Sequence, residues 1–141
     1  MPSAAPPSRG PDFSLPISAK GSLWMKQNGV TEAQLSEVFH FEKDSVEIII
    51  GEMPGSGTRD KVRNAHILLG LGGFLAKGTA TVEDKVGPAL CERFGIFDGT
   101  NHSKAFKGVN ELTGSAKAGW TVTSPGLRQA AALVKRAKPN D

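Results

Sequence analysis

Residues 112–126, Leu-Thr-Gly-Ser-Ala-Lys-Ala-Gly-Trp-Thr-Val-Thr-Ser-Pro-Gly, constrain this chain more than any other stretch. A short strand from Leu112 leads into a basic turn around Lys117, closed by Gly119. The following Trp120, Thr121, Val122 and Thr123 alternate, as a half-buried strand does. Ser124 is then a natural N-cap and Pro125 fits the first helical position. Leu127, Ala130, Ala131 and Val134 give the helix so opened an apolar face. A hairpin wedged between two helical blocks implies a mainly helical α+β fold.

The long helix that anchors such a fold is expected from Thr58 to Lys77, where Val62, Ala65, Ile67, Leu68, Leu71, Phe74 and Leu75 leave little polar circumference. A helix that is apolar nearly all round belongs in a core. Gly78 ends it. Gly70, Gly72 and Gly73 each cost up to ~1 kcal/mol relative to Ala, so close helix packing is expected to offset them. Thr79 to Thr81 reads as a short strand, and a second helix is expected from about Val82 to Phe94, where Pro88 threatens a kink. A third helix, capped by Asp98 or Thr100, is expected to reach Leu112 with Ala105, Phe106, Val109 and Leu112 inside.

Upstream, residues 1–12 hold four of the nine prolines and read as an extended tail. Residues 13–56 form an extension, and residues 57–141 the main domain. In the extension, a helix from Ser18 should turn Leu23 and Trp24 inward and end at Gly29. Thr31-Glu32-Ala33-Gln34 is a capping box for a helix burying Leu35, Val38 and Phe39. Phe39 to Ile50 then reads as a hairpin turning at Lys43-Asp44-Ser45. Gly51 to Gly57, with three Gly and one Pro, reads as a flexible join.

Charge is divided unevenly between these parts. Residues 1–56 carry four basic and seven acidic side chains, a net of −3, so residues 57–141 carry +6 and the whole chain +3. A basic half points to contact with a polyanion, against the plain alternative of ordinary surface charge. No stretch approaches the ~20 apolar residues of a membrane span. No signal peptide is evident, and a single cysteine excludes an internal disulfide, so a cytoplasmic setting is expected.

The order helix, strand, helix, helix, two-stranded wing and closing helix in residues 58–137 resembles a winged helix-turn-helix domain. Trp120 to Lys135 resembles the closing strand and helix of many such domains. The resemblance covers a little over half of the chain and leaves residues 1–57 without a counterpart. It implies a small DNA-binding or transcription-associated protein whose third helix enters the major groove while the wing touches the backbone. By position, Asn101, His102, Ser103, Lys104, Lys107 and Asn110 would face the groove and Lys117 the wing contact. Arg59, Lys61 and Arg63 would add backbone contacts. Lysines neutralise phosphates and Asn can pair with adenine edges. Two features oppose strong binding: the third helix lacks Arg, and Glu111 would repel phosphate. The alternative is a winged-helix module that binds an acidic protein partner, since fold alone does not choose between these roles. A homodimer through the extension is a further option, although structural support of the main domain is the preferred role for residues 13–56.

Other candidate chemistry is weak. Gly51 to Thr58 lacks the Gly-Lys-Ser/Thr ending of a phosphate loop. His40, His66 and His102 lie on separate elements and form no ligand pair at metal spacing. Cys91 sits on an apolar stripe and reads as core. Trp24 and Trp120 fit core or anchor positions better than a base-stacking platform. No acid/base or nucleophile–base pair stands out, so neither an enzyme nor a cofactor is expected.

Overall fold

A computed structural model describes residues 16–42, 45–97, 99, 102–115 and 117–136, although not the side chains of His102 and Ser103. The chain is a mainly helical α+β fold with two small antiparallel sheets.

Helix α1 spans Ala19–Asn28. The Ser18 hydroxyl accepts from the Gly21 N–H at 3.0 Å and donates to the Phe74 carbonyl at 2.9 Å. Its cap is therefore also a tie to the long helix. Gly29 ends α1 at φ 64°. Trp24 is buried as expected, but Leu23 is 56% exposed, because neighbours on a helix point about 100° apart. The Trp24 indole donates to the Leu127 carbonyl at 2.9 Å and so joins α1 to the last helix.

Helix α2, Glu32–Val38, starts with the expected capping box: the Gln34 N–H reaches the Thr31 hydroxyl at 3.1 Å and the Thr31 N–H reaches the Gln34 amide at 2.9 Å. Leu35, Val38 and Phe39 are buried. Strands β1 (Phe39–Phe41) and β2 (Val46–Ile48) pair with Phe39 opposite Ile48 and Phe41 opposite Val46. Of the expected turn, Lys43 and Asp44 lie outside the described residues. The segment expected to be a flexible join is anchored instead: Met53 is buried, and the Asn64 amide donates to the Pro54 carbonyl at 2.7 Å.

Helix α3 runs Thr58–Lys77 and ends at Gly78 with φ 81°. It buries residues on nearly every side, among them His66, Ile67, Leu68, Leu71 and Leu75. A Cβ on Gly70 would meet Val122 Cγ2 at 2.1 Å, so no side chain fits there and the sheet packs directly on the α3 backbone. Strand β3 is Thr81–Val82 and helix α4 is Val86–Arg93. The helix begins about four residues later than the sequence suggests, which leaves Pro88 in its first turn, where a missing N–H costs nothing.

The expected third helix is not an α-helix to Leu112. A single 3₁₀ turn covers His102–Phe106, and Gly108 at φ 70° ends the helical path. Left-handed backbone at a glycine terminates helices, and this glycine was read as helix interior. Ala105 is still buried, but Leu112 opens strand β4 (Leu112–Ser115). Strand β5 is Gly119–Val122, paired with β4 from Leu112 opposite Val122 to Ser115 opposite Gly119. β5 also pairs with β3, giving the order β3-β5-β4.

Helix α5 spans Ser124–Arg136. Its cap is Thr123 rather than Ser124, since the Thr123 hydroxyl accepts from the Gly126 N–H at 3.3 Å and the Thr123 carbonyl from the Leu127 N–H at 2.8 Å. Both residues are good caps, so composition alone could not separate them. One contiguous core joins Trp24, Leu35 and Phe39 of the extension to Leu68, Leu71, Val122 and Leu133.

Candidate nucleic-acid interface

The 3₁₀ turn is held against the β4–β5 hairpin by aromatic side chains. Phe106 lies with its ring 4.1 Å from that of Trp120 and 14° from parallel. The edge of His66 meets Phe106 at 4.7 Å and 84°. His66 is itself fixed: Nδ1 donates to the Val62 carbonyl at 2.8 Å, and Gly87 leaves room for the ring, since a Cβ there would lie 2.0 Å from Nε2. The chain His66–Phe106–Trp120 thus connects α3, the 3₁₀ turn and β5. Trp120 faces Gly114 across the hairpin, three residues from Lys117.

This packing sets the 3₁₀ turn, whose side chains include Lys104, against the β4–β5 hairpin, whose turn carries Lys117. Lys104, Lys107 and Asn110 are exposed on and after the 3₁₀ turn, and Lys117 is exposed in the turn between β4 and β5. His102 belongs to the 3₁₀ turn with Ser103, and Asn101 lies outside the described residues. The region is not purely basic. The chain at Glu83 and Asp84 passes beside Gly119 at the turn end of the β4–β5 hairpin, and Glu111 precedes β4 at its other end.

Arg59, Lys61 and Arg63 are not brought to the wing tip. They start α3, where Arg63 and Asp60 form an ion pair and Asp60 also bonds Ser56. The Ser56 hydroxyl and the Arg63 guanidinium hold the Asp60 carboxyl below its usual range, against a smaller opposing effect of burial. A polar cleft of ≈ 650 Å³ adjoins this cluster and is lined by Glu52, Asp60, Arg63, Glu111 and Arg136 among others. Glu111 is at one end of β4 and Lys117 beyond the other, so roughly 13 Å of strand separates them. Sequence reasoning had grouped these residues; the structure sets Arg63 at the cleft, while Lys104, Lys107 and Asn110 lie on and after the 3₁₀ turn and Lys117 in the hairpin turn.

The remaining candidates stay structural. Burial pushes the Cys91 thiol up to about 11, so it is protonated and unreactive at neutral pH. His40 pairs with Glu42 at 3.0 Å on the surface. Among the described residues no group of three His, Cys, Asp or Glu side chains could hold a metal ion, and no helix is long and apolar enough to cross a membrane. Sequence reasoning missed the Phe106–Trp120 stack; the only signal was that each aromatic fell on an inward stripe of its own element. Comparison with protein families, with curated proteins and with solved structures finds no match.

Proposed function

We propose that residues 58–136 act as a winged-helix module that docks on duplex DNA, with phosphate contacts dominating over base reading. The observation that carries this reading is the sheet order β3-β5-β4 set between α3 and α5. That order, with the last strand in the middle and the β4–β5 hairpin ahead of the closing helix, supports the reading of the hairpin as a wing. Lys104, Lys107 and Lys117 are exposed, and the Phe106–Trp120 stack ties the turn bearing the first two to the hairpin bearing the third, which supports the reading.

The mechanism is electrostatic. Each lysine that neutralises a phosphate releases condensed counterions, so affinity falls steeply with salt. Base reading is limited, because a five-residue 3₁₀ turn rises only ~10 Å and offers Asn110 as its nearest described amide. Fluorescence anisotropy on a labelled duplex across a salt series tests the reading. Lys104→Ala/Lys107→Ala should flatten the log–log salt dependence by roughly two units. Wild-type protein that is folded and fails to bind at low salt contradicts it.

The second reading, a module for an acidic protein partner, is favoured by the shortness of the same 3₁₀ turn. A protein partner needs no helix long enough to lie along a groove.

A further inference from the structure

A second group of basic side chains lies away from the β4–β5 hairpin. Helix α1 carries Lys20 and Lys26, and helix α5 carries Arg128 and Lys135 together with Arg136, which lines the cleft beside Glu52, Asp60 and Glu111; neither helix contains Asp or Glu. All five cations are exposed, and among the described residues none is in an ion pair.

Two contacts make one surface of helices about 100 residues apart in the chain. The Trp24 indole bonds the Leu127 carbonyl at 2.9 Å, and the Lys135 ammonium bonds the Asn28 carbonyl at 2.8 Å. Arg128 and Lys135 are seven residues apart and share one stripe of α5, bordering α1. The Lys20 stem lies against Gly78, next to Lys77 at the end of α3. The β4–β5 hairpin turn, by contrast, has Glu83 and Asp84 passing beside it.

We infer that the α1–α5 face is a second docking surface for the phosphate backbone of duplex DNA, presupposing the DNA-docking function above and naming a further surface that serves it. Like charges held on a rigid face repel one another until a polyanion neutralises them, and release of the polyanion's counterions drives that binding. The face lacks the apolar side that an interfacial membrane helix inserts: Leu23 is its only exposed large apolar side chain among the described residues, and Trp24 is committed to the core.

The test compares Lys20→Gln/Lys26→Gln/Arg128→Gln with Lys104→Gln/Lys107→Gln, binding a labelled duplex across a salt series. Lys135 is left intact because it caps α1. Thermal melting confirms that each variant is folded. The α1–α5 variant should flatten the salt dependence by roughly two to three units, at least as much as the wing variant. An unchanged slope in that variant, with wild type binding the duplex, overturns the second surface and leaves the wing interface standing. Failure of wild type to bind any duplex overturns both. Binding of wild type to phosphatidylserine vesicles but not to duplex, lost in the α1–α5 variant, overturns it in favour of a lipid surface.

Discussion

Phe106 stacks on Trp120 with ring centres 4.1 Å apart, while the His66 ring meets Phe106 in a T-shaped contact at 4.7 Å. Through these contacts a single helical turn from one part of the chain is fixed to a hairpin strand from another. Phe106→Ala should therefore destabilise the fold by about 2 kcal/mol, below the range for a fully buried Phe because Phe106 is half-buried. Urea unfolding measures this, and a loss under about 0.5 kcal/mol would mean the stack holds nothing in place.

Gly87 is where α4 meets the His66 ring. A Cβ at that position would lie 2.0 Å from Nε2 and 2.6 Å from Cδ2, so ring or helix must move. Gly87→Ala is expected to cost about 1–3 kcal/mol even though alanine is the better helix former. A stabilised Gly87→Ala protein would show that His66 is free to turn away.

These two sites also show how far the sequence could be read. Capping signals are local, so Ser18, the Thr31–Gln34 box, and the Gly29 and Gly78 ends were all legible from neighbouring residues. So was α3, whose apolar pattern is too broad for anything but a core helix. The third helix was misread because the inward spacing of Ala105, Phe106, Val109 and Leu112 suits a helix. Gly108 breaks that spacing with a left-handed residue, and glycine identity alone does not say which conformation it adopts. The Phe106–Trp120 stack and the Trp24–Leu127 bond depend on tertiary placement, which no local pattern encodes. The same holds for the basic α1–α5 face, divided between two segments with about 100 residues between them.

Cys91 should resist modification. Burial raises its thiol to about 11, so thiolate is scarce at pH 8 and the sulfur is shielded. Ellman's reagent should react slowly with native protein and rapidly after unfolding in guanidinium. Fast reaction of the native state would contradict its place in the core.

Asp60 makes stability depend on acid. Its folded carboxyl is lowered by the Ser56 hydroxyl first and by the Arg63 guanidinium. The stabilisation is therefore fully present above the unfolded value of about 4 and lost as pH falls below it through the folded value. Wild type should lose its advantage over Asp60→Asn in that acidic window. Parallel pH profiles for the two proteins would show that the pairing contributes nothing.

The central claim, that the wing region meets duplex DNA, is tested most directly by ¹H–¹⁵N correlation spectra of the protein titrated with a short duplex at low salt. Shifts should concentrate at the backbone amides of Lys104, Lys107 and Lys117, with a second group on α1 and α5. Shifts confined to the cleft beside Asp60 and Arg63, or none at all with the protein folded, would contradict the account.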